Sequence, residues 1–471
     1  MTDSCAYLGT GSSFLLALTL VLCTACTSLA PSSPDRDPVQ LPRSFSLETQ
    51  GIAGWENWWE AWDDPQLDAL MSKALDNNPD IAAAYARLRR ARALADQAGA
   101  DRIPALTLEG ESSASRTYTD NSFKTETRSS SLGLQAGYEL DLWGRISSRA
   151  EAAALDLKAA REDLQVARIS IAAETAETWI RLLALRREKQ VLKEQIDVNS
   201  RLLDSLILRL EKGVATAAEV TRQKQALEAV RSALPALSTQ ERLTLNSLAL
   251  LTGQADPELI NISGQNLPAN LPRPDAGLPS HLLMSRPDIK SAYLSLQSAG
   301  RDTARARAER LPQVNITARS LLSSPRLTPS WGDWLVRLGL NLAAPLVDGG
   351  LRLARVEQAL AEEDQQTAEY AALVLGAVRE VQDALAREQG QEKTIQGIER
   401  EMQAALEAAD QARLRYLLGQ GQYTDYLGRL ESLQNLEQKL IQARADLLSH
   451  RVSLYRALGT GWKTAELQAK E

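Results

Sequence analysis

A junction made twice constrains this chain more than any other feature. A short alternating segment gives way abruptly to a very long run of helical periodicity. The first copy is Tyr138-Glu-Leu-Asp-Leu-Trp-Gly-Arg145. Upstream, Leu132, Leu134, Ala136, Tyr138 and Leu140 recur at every second residue, the period of a strand with one apolar face. Downstream, from Arg145 to Lys212, there is no proline and the helical pattern is unbroken. The second copy is Leu340-Asn-Leu-Ala-Ala-Pro-Leu-Val-Asp-Gly-Gly350, again with a strand before it and a long helix after it. Two similar halves follow, each joining a piece of sheet to a rod.

The repeat is legible in single residues. Asn78-Pro79-Asp-Ile81 returns as Arg286-Pro287-Asp-Ile289, Tyr85 as Tyr293 and Ile103-Pro104 as Leu311-Pro312, all at an offset of 208. Gly213 returns as Gly419, Glu219 as Asp425 and Gly253 as Gly459 at an offset of 206. The two-residue slip falls in the loop joining each pair of strands. Repeat 1 is placed at 55–253, with strands at about 104–118 and 125–141, a long helix over 145–212 and a return helix over 216–253. The loop between its strands is Thr119 to Lys124, and two helices precede them, from Pro65 to Asp76 and from Pro79 to Arg102. A proline-rich connector, 254–280, leads to repeat 2 at 281–460, with strands at about 312–322 and 333–344, a long helix over 350–418 and a return helix over 423–459. Residues 461–471 form a tail.

Four strands cannot close a barrel, whose small members need about eight, and no other sheet is available to cover them. Trp334, Val336, Leu338, Leu340 and Leu342 face one way, and Arg337, Gly339 and Asn341 the other. A soluble sandwich strand shows the same alternation, but with so few strands the subunits must pool them or leave edges open. Each long helix would measure on the order of 100 Å at about 1.5 Å per residue. Coiled-coil seams run through Ile196, Asn199, Leu203, Leu206 and Leu210, through Val374, Val378, Val381 and Leu385, and through Ile395, Ile398, Met402, Ala405 and Ala409. Flanking alanines would let each helix touch neighbours on two sides, as the wall of a helical tube requires. Gly213-Val-Ala-Thr216 and Gly419-Gln-Gly-Gln422 are the turns, with glycine just past each helix end. Pro235 is expected to interrupt and kink the first return helix.

Composition narrows the chemistry. Alanine and leucine dominate a 44% hydrophobic share with only three phenylalanines, a bias that suits long helices. The formal charge of −7 is not clustered, so no nucleic-acid partner is expected. His281 and His450 stand far apart and read as surface or packing residues. All three cysteines, Cys5, Cys23 and Cys26, lie in the first 26 residues, which excludes disulfides, thiolate metal sites and cysteine catalysis from the body. No phosphate loop, nucleophile elbow or metal-spaced histidines appear, so neither enzyme activity nor a cofactor is expected.

Phe14 to Cys26 is too short to span a bilayer stably but suits a signal-peptide core. Residues 1–25 are read as a signal, although residues 1–13 lack the usual Lys or Arg. Cys23-Thr-Ala-Cys26 resembles a bacterial lipobox with Cys26 as the acylated residue, followed by a tether over 26–54. By the same resemblance Ser28, in place of Asp, favours outer-membrane sorting. Four tryptophans crowd Trp55 to Trp62 and are read as a packing anchor, with Asp63 or Asp64 before Pro65 starting a helix.

Together these landmarks resemble the outer-membrane factor family (TolC-like, NodT-type lipoproteins) of tripartite RND efflux systems. Its carriers are Trp58-Trp59 with Asp64-Pro65-Gln-Leu67, Asn78-Pro79-Asp-Ile81, Tyr138 to Arg145, Ala233-Leu-Pro-Ala-Leu237 and Leu278-Pro-Ser-His-Leu-Leu283 with Arg286-Pro-Asp-Ile289. Pro345-Leu-Val-Asp-Gly-Gly350 and the tail Tyr455 to Trp462 complete the set. The resemblance implies a mainly α, internally duplicated fold with a transmembrane β-barrel. In it a homotrimer pools four strands per protomer into twelve, continued by a helical tunnel into the periplasm. It further implies an anchor in outer-membrane lipid, a periplasmic adaptor and an RND-type inner-membrane pump as partners, and passive conduction.

The tips would then carry the adaptor contact, at Gly213, Val214, Thr216, Glu219, Gly419, Gly421 and Asp425. Glu219 and Asp425 either brace the return helices or line the entrance. Gly419-Gln-Gly-Gln422 lacks the acidic residue common there in relatives, which makes Asp410, Arg413 and Tyr416 the gate candidates. Trp143, Gly144 and Arg145, with Asp348, Gly349 and Gly350, form the strand–helix junctions. The alternative is a lipid-anchored periplasmic coiled-coil adaptor or scaffold, which would share the helical hairpins but lack two-faced strands.

Overall fold

A computed structural model describes residues 41–45, 57–118, 124–268, 271–324 and 333–459. Cys26, Trp55, Trp462 and the loop residues 119–123 lie outside the described residues. In chain order the elements are α1 (Pro65–Asn77), α2 (Pro79–Ala100), β1 (Ala105–Tyr118), β2 (Lys124–Leu140), α3 (Arg145–Glu211) and α4 (Ala217–Leu251). Then follow α5 (Leu282–Ser285), α6 (Pro287–Ala308), β3 (Gln313–Ser324), β4 (Asp333–Ala343), α7 (Leu351–Leu417) and α8 (Tyr423–Leu458). The repeat is visible in the lengths: α2 and α6 have 22 residues each, and α3 and α7 have 67 each. Lys124, expected in the loop, belongs to β2, where it pairs with Tyr118.

Contacts divide the chain into two compact units. The first comprises Arg87–Arg161 and Ser291–Ala372 and holds the sheet with the helix segments that enter and leave it. Its four strands are all antiparallel in the order β1-β2-β3-β4, so β1 and β4 are free edges within the protomer. Helices in this unit are tied by side chain to backbone: Ser298 Oγ donates to the Ala152 carbonyl and Thr303 Oγ1 to that of Ala359, both at 3.2 Å.

The second unit comprises Val39–Ala86, Glu162–Lys290 and Leu373–Glu471. Here the periodic apolar residues of α3, α4, α7 and α8 turn inward, and Ile180, Leu248, Val381 and Val452 are fully buried. Most of the expected seam positions are buried or half-buried, but Leu210 is 37% exposed because the seam has run out at the helix end. α4 continues through Pro235 without a break, contrary to the expected interruption. The proline lies on an exposed face, while the buried Leu227 and Leu248 anchor the helix on either side.

Trp58 is buried and stacks on Tyr455, with ring centroids 5.5 Å apart, and Trp62 meets Trp179 at 5.7 Å. Asp64 caps α1 by accepting from the Gln66 and Leu67 amides. The connector lays Ile260, Ile262 and Leu271 into the core. Arg186 of α3 donates to the carbonyls of Ile262 and Gly264 and pairs with Glu241. On the opposite stretch Arg451 donates to the Leu271 carbonyl, and Tyr455 Oη to that of Pro272 at 3.0 Å. Arg451 also pairs with the buried Glu388, which Arg273 reaches at 3.0 Å.

Candidate functional site: channel wall, junctions and helix tips

Residues paired directly across antiparallel strands share a face. In this sheet one face collects Leu106 and Leu108 of β1, Leu132, Leu134, Ala136, Tyr138 and Leu140 of β2, Val314, Ile316 and Ala318 of β3, and Trp334, Val336, Leu338, Leu340 and Leu342 of β4. The other collects Thr107, Glu109, Gln135, Glu139, Asn315, Thr317, Arg319, Arg337 and Asn341, with an ion pair from Arg319 to Glu109 at 3.3 Å. Leu321 and Leu335 are the apolar exceptions there. Among the described residues the outer strands of the apolar face are largely uncovered: Leu338 is 77% exposed and Leu106 70%. Its polar intruder Ser320 accepts from Trp334 Nε1 at 2.8 Å. An uncovered apolar face backed by a hydrogen-bonding one fits hydrocarbon on one side and water on the other.

At the first junction Asp141 does the turning. Its two oxygens accept from the Ile146 amide at 2.9 Å and the Ser147 amide at 2.7 Å, and the Ser147 hydroxyl adds a third bond at 2.6 Å. Burial pushes the Asp141 carboxyl up, but these donors and nearby Arg145 outweigh it and hold it below the usual range. Arg145 forks onto Glu139 at 2.9 and 2.7 Å, Trp143 Nε1 donates to the Pro312 carbonyl at 2.6 Å, and Gly144 takes a φ of 73°. The second junction repeats the device more openly. Asp348 accepts from the Gly350 amide at 3.1 Å and the Arg352 amide at 3.2 Å, with Gly349 and Gly350 both at positive φ. All six junction residues expected from sequence are therefore local to these turns. Asp141 and Glu139 were inside the motif, but their roles follow only from the geometry.

The tips lie in the second unit. Gly213 and Gly419 sit at φ 73° and 71° with open space where a Cβ would project, so it is the left-handed backbone that calls for glycine. Behind Gly213, Val214 N donates to the Arg209 carbonyl at 2.8 Å; behind Gly419, Gln420 N donates to that of Arg415, also at 2.8 Å. A Cβ on Gly421 would stand 3.1 Å from Arg415 Cβ. Thr216 and Glu219 form a complete capping box, Glu219 accepting from the Thr216 amide at 2.7 Å. That occupies Glu219 as a brace. Asp425 is exposed and lies 3.6 Å from Arg429. Val214, Leu414, Leu417 and Leu418 are exposed around the turns.

Of the gate candidates, Asp410 and Arg413 are exposed, whereas Tyr416 is buried. Its ring lies under the Arg209 guanidinium at 4.7 Å and meets the Tyr423 ring at 5.3 Å. Burial, then the charge of Glu219, raises the Tyr416 phenol. Sequence reasoning missed a buried polar chain beside it. Tyr423 Oη donates to Gln223, whose amide donates to Asn199 O and Oδ1 at 2.9 and 3.0 Å. Asn199 donates in turn to Gln434 at 3.3 Å, and Gln195 to the Gln434 carbonyl at 3.1 Å. A polar Asn199 among the Ile and Leu of its seam was the one signal. Among the described residues no cluster of His, Cys, Asp and Glu could hold a metal. No helix among them is long and apolar enough to cross a membrane.

Two-faced strands joined to paired long helices define a class: outer-membrane channels built by pooling strands from several subunits. Comparison with known proteins places the chain within it. The outer membrane efflux protein family model matches residues 70–254 and again 278–460, once per repeat, and the chain belongs to that family. It is 30% identical to the pyoverdine export outer membrane protein OpmQ of Pseudomonas aeruginosa, over 86% of this chain and 88% of that one. It is 28% identical to the cation efflux system protein CusC of Escherichia coli, over 96% and 98%. The solved outer-membrane channel OprN superposes with a TM-score of 0.86 at 27% identity, over 92% of this chain and all of that one. The chain is thus an outer-membrane efflux channel whose free edges β1 and β4 are closed by three protomers in a twelve-stranded barrel. A periplasmic adaptor would have no use for the two-faced sheet.

Proposed function

We propose that the trimer is the passive exit duct of a tripartite system, receiving substrate from an inner-membrane RND-type pump through a periplasmic adaptor. The observation that carries this is the sheet: a hydrocarbon-fitted face backed by Thr, Asn, Gln and paired charges makes a wet pore. Energy comes from the pump and selection lies largely with it. OpmQ and CusC agree with that division, since one is named for pyoverdine export and the other for cation efflux.

The adaptor docks on the two turns, where Val214 presents an apolar side chain and Thr216, Gly419 and Gly421 present backbone to the periplasm. Asp425, exposed and held only by a loose pair with Arg429 at 3.6 Å, is the acid that meets it, Glu219 being occupied by its cap. Asp410 and Arg413 face outward from the helix that carries the buried Tyr416, and are the groups available to meet neighbouring protomers at the gate. Cys26 carries acyl chains that anchor the trimer in the outer membrane.

Native mass spectrometry of the detergent-solubilised mature protein tests the assembly. Three protomers lacking residues 1–25 and carrying acyl chains are expected; a water-soluble monomer would overturn the proposal. Single-channel recording in planar bilayers tests conduction, with low conductance expected until the tips are opened by adaptor or by substitution at Asp410 and Arg413.

A further inference from the structure

We propose that Leu346 and Val347 form a second membrane contact, a short apolar wedge set into the periplasmic leaflet below the barrel wall. They are the most exposed of the large apolar residues described, at 91% and 94%. The segment that carries them is held at both ends. On one side β4 ends its ladder at Ala343 opposite Gln313, and Pro345, with no amide hydrogen, cannot extend it. On the other side Asp348 fastens the chain to the start of α7 through the Gly350 and Arg352 amides. Neither side chain folds back, so the outward stance is built into the backbone.

Continuity with the lipid face identifies the occupant. The apolar stripe runs from Leu132 to Leu140 on β2 and from Trp334 to Leu342 on β4. At about 3.4 Å per residue and a tilt of about 40° it covers roughly 21 Å of bilayer, while barrels of this kind carry an apolar band about 25 Å tall. The stripe is about one row short. Leu346 and Val347 follow directly on its periplasmic end, beyond Leu342. The depth has an independent marker in Trp143, a residue type that favours membrane interfaces. It donates to the carbonyl of Pro312, the residue before Gln313, at the sheet edge where β4 ends. The contact therefore falls at the level where acyl chains meet glycerol, and its partner is phospholipid. A neighbouring protomer is the competing occupant.

The body has no cysteine after Cys26, so single-cysteine variants of the full mature trimer report cleanly, with the parent protein setting the background. Spin-labelled V347C, in phospholipid nanodiscs, is compared with L342C on the lipid face and N341C on the polar face. Expected is strong collision with oxygen and exclusion of a water-soluble nickel chelate, as at 342, with a several-fold higher oxygen than chelate accessibility. Access to the chelate, or shielding from both reagents by a neighbouring protomer, would overturn the proposal. Should V347C fail to form heat-stable trimers, L346W is read instead with brominated phospholipids. Quenching of its added fluorescence supports the contact, and unchanged fluorescence overturns it.

Discussion

In the sheet most large apolar side chains sit on the one exposed apolar face, and in the helical unit most point into the protein. Leu338 is 77% exposed on its strand, whereas Leu248 and Ile180 are 0% exposed on their helices. Both arrangements answer to the same hydrophobic effect with a different medium outside. The helices face water and gather their apolar stripes into a dry interior, at a period near 3.6. The strands alternate at a period of two, keep Thr, Asn and Arg on the inner face, and leave leucine for lipid. The rule for where a charge is tolerated therefore inverts between the two regions.

The largest expected effect lies in the helical interior. Glu388 is 1% exposed and pairs with the buried Arg451 and with Arg273. Glu388→Ala removes the nearest carboxylate from the buried Arg451, leaving it the Leu271 carbonyl and Glu392 at 3.9 Å, and should cost about 3 kcal/mol, whereas the double change Glu388→Leu with Arg451→Met should recover most of it. The heat-dissociation midpoint of the trimer reads both, and a double variant no better than the single would show that the pair is needed for more than charge balance. On the sheet the reciprocal change is Leu338→Arg. It should cost about 2–4 kcal/mol near the bilayer midplane and reduce outer-membrane assembly, while Asn341→Arg leaves assembly intact and alters conductance. Equal mild effects from both would break the comparison.

This inversion was legible in the sequence because alternation and helical period are local properties. The same holds for the turns, since Pro79, Gly213, Pro287 and Gly419 act on their own backbone. What stayed hidden depends on partners distant in the chain. Nothing near Gln223 announces that it bonds Asn199, 24 residues earlier, and Tyr423, 200 residues later. Arg451 likewise finds the Leu271 carbonyl across 180 residues. Pro235 misled for a related reason: a proline's local penalty is visible in sequence, and the packing on both sides that carries α4 through it is not.

That long-range polar chain supplies the next smaller test. Tyr423→Phe removes the donor to the fully buried Gln223, leaving its Oε1 unsatisfied at a cost of about 1–3 kcal/mol. Amide hydrogen exchange should accelerate in α4 and α8 around residues 223 and 423, and unchanged exchange would mean that water replaces the phenol.

The smallest effects belong to the two tips, where the repeat has diverged by a single cap. Thr216 and Glu219 close a capping box at the start of α4, whereas Gln422 makes no side-chain cap at the start of α8. Position for position the second site is ready for one, since Asp425 stands three residues after Gln422 as Glu219 stands three after Thr216. Thr216→Ala should therefore destabilise by about 1 kcal/mol, and Gln422→Thr should stabilise by several tenths. Before any substitution the first-turn amides of α8 should exchange faster than those of α4, because only the latter have a side-chain acceptor. If Gln422→Thr slows exchange in α8 and also lowers channel opening by adaptor, the missing cap is part of how the second tip moves. If exchange slows and opening does not change, the divergence is one of stability alone.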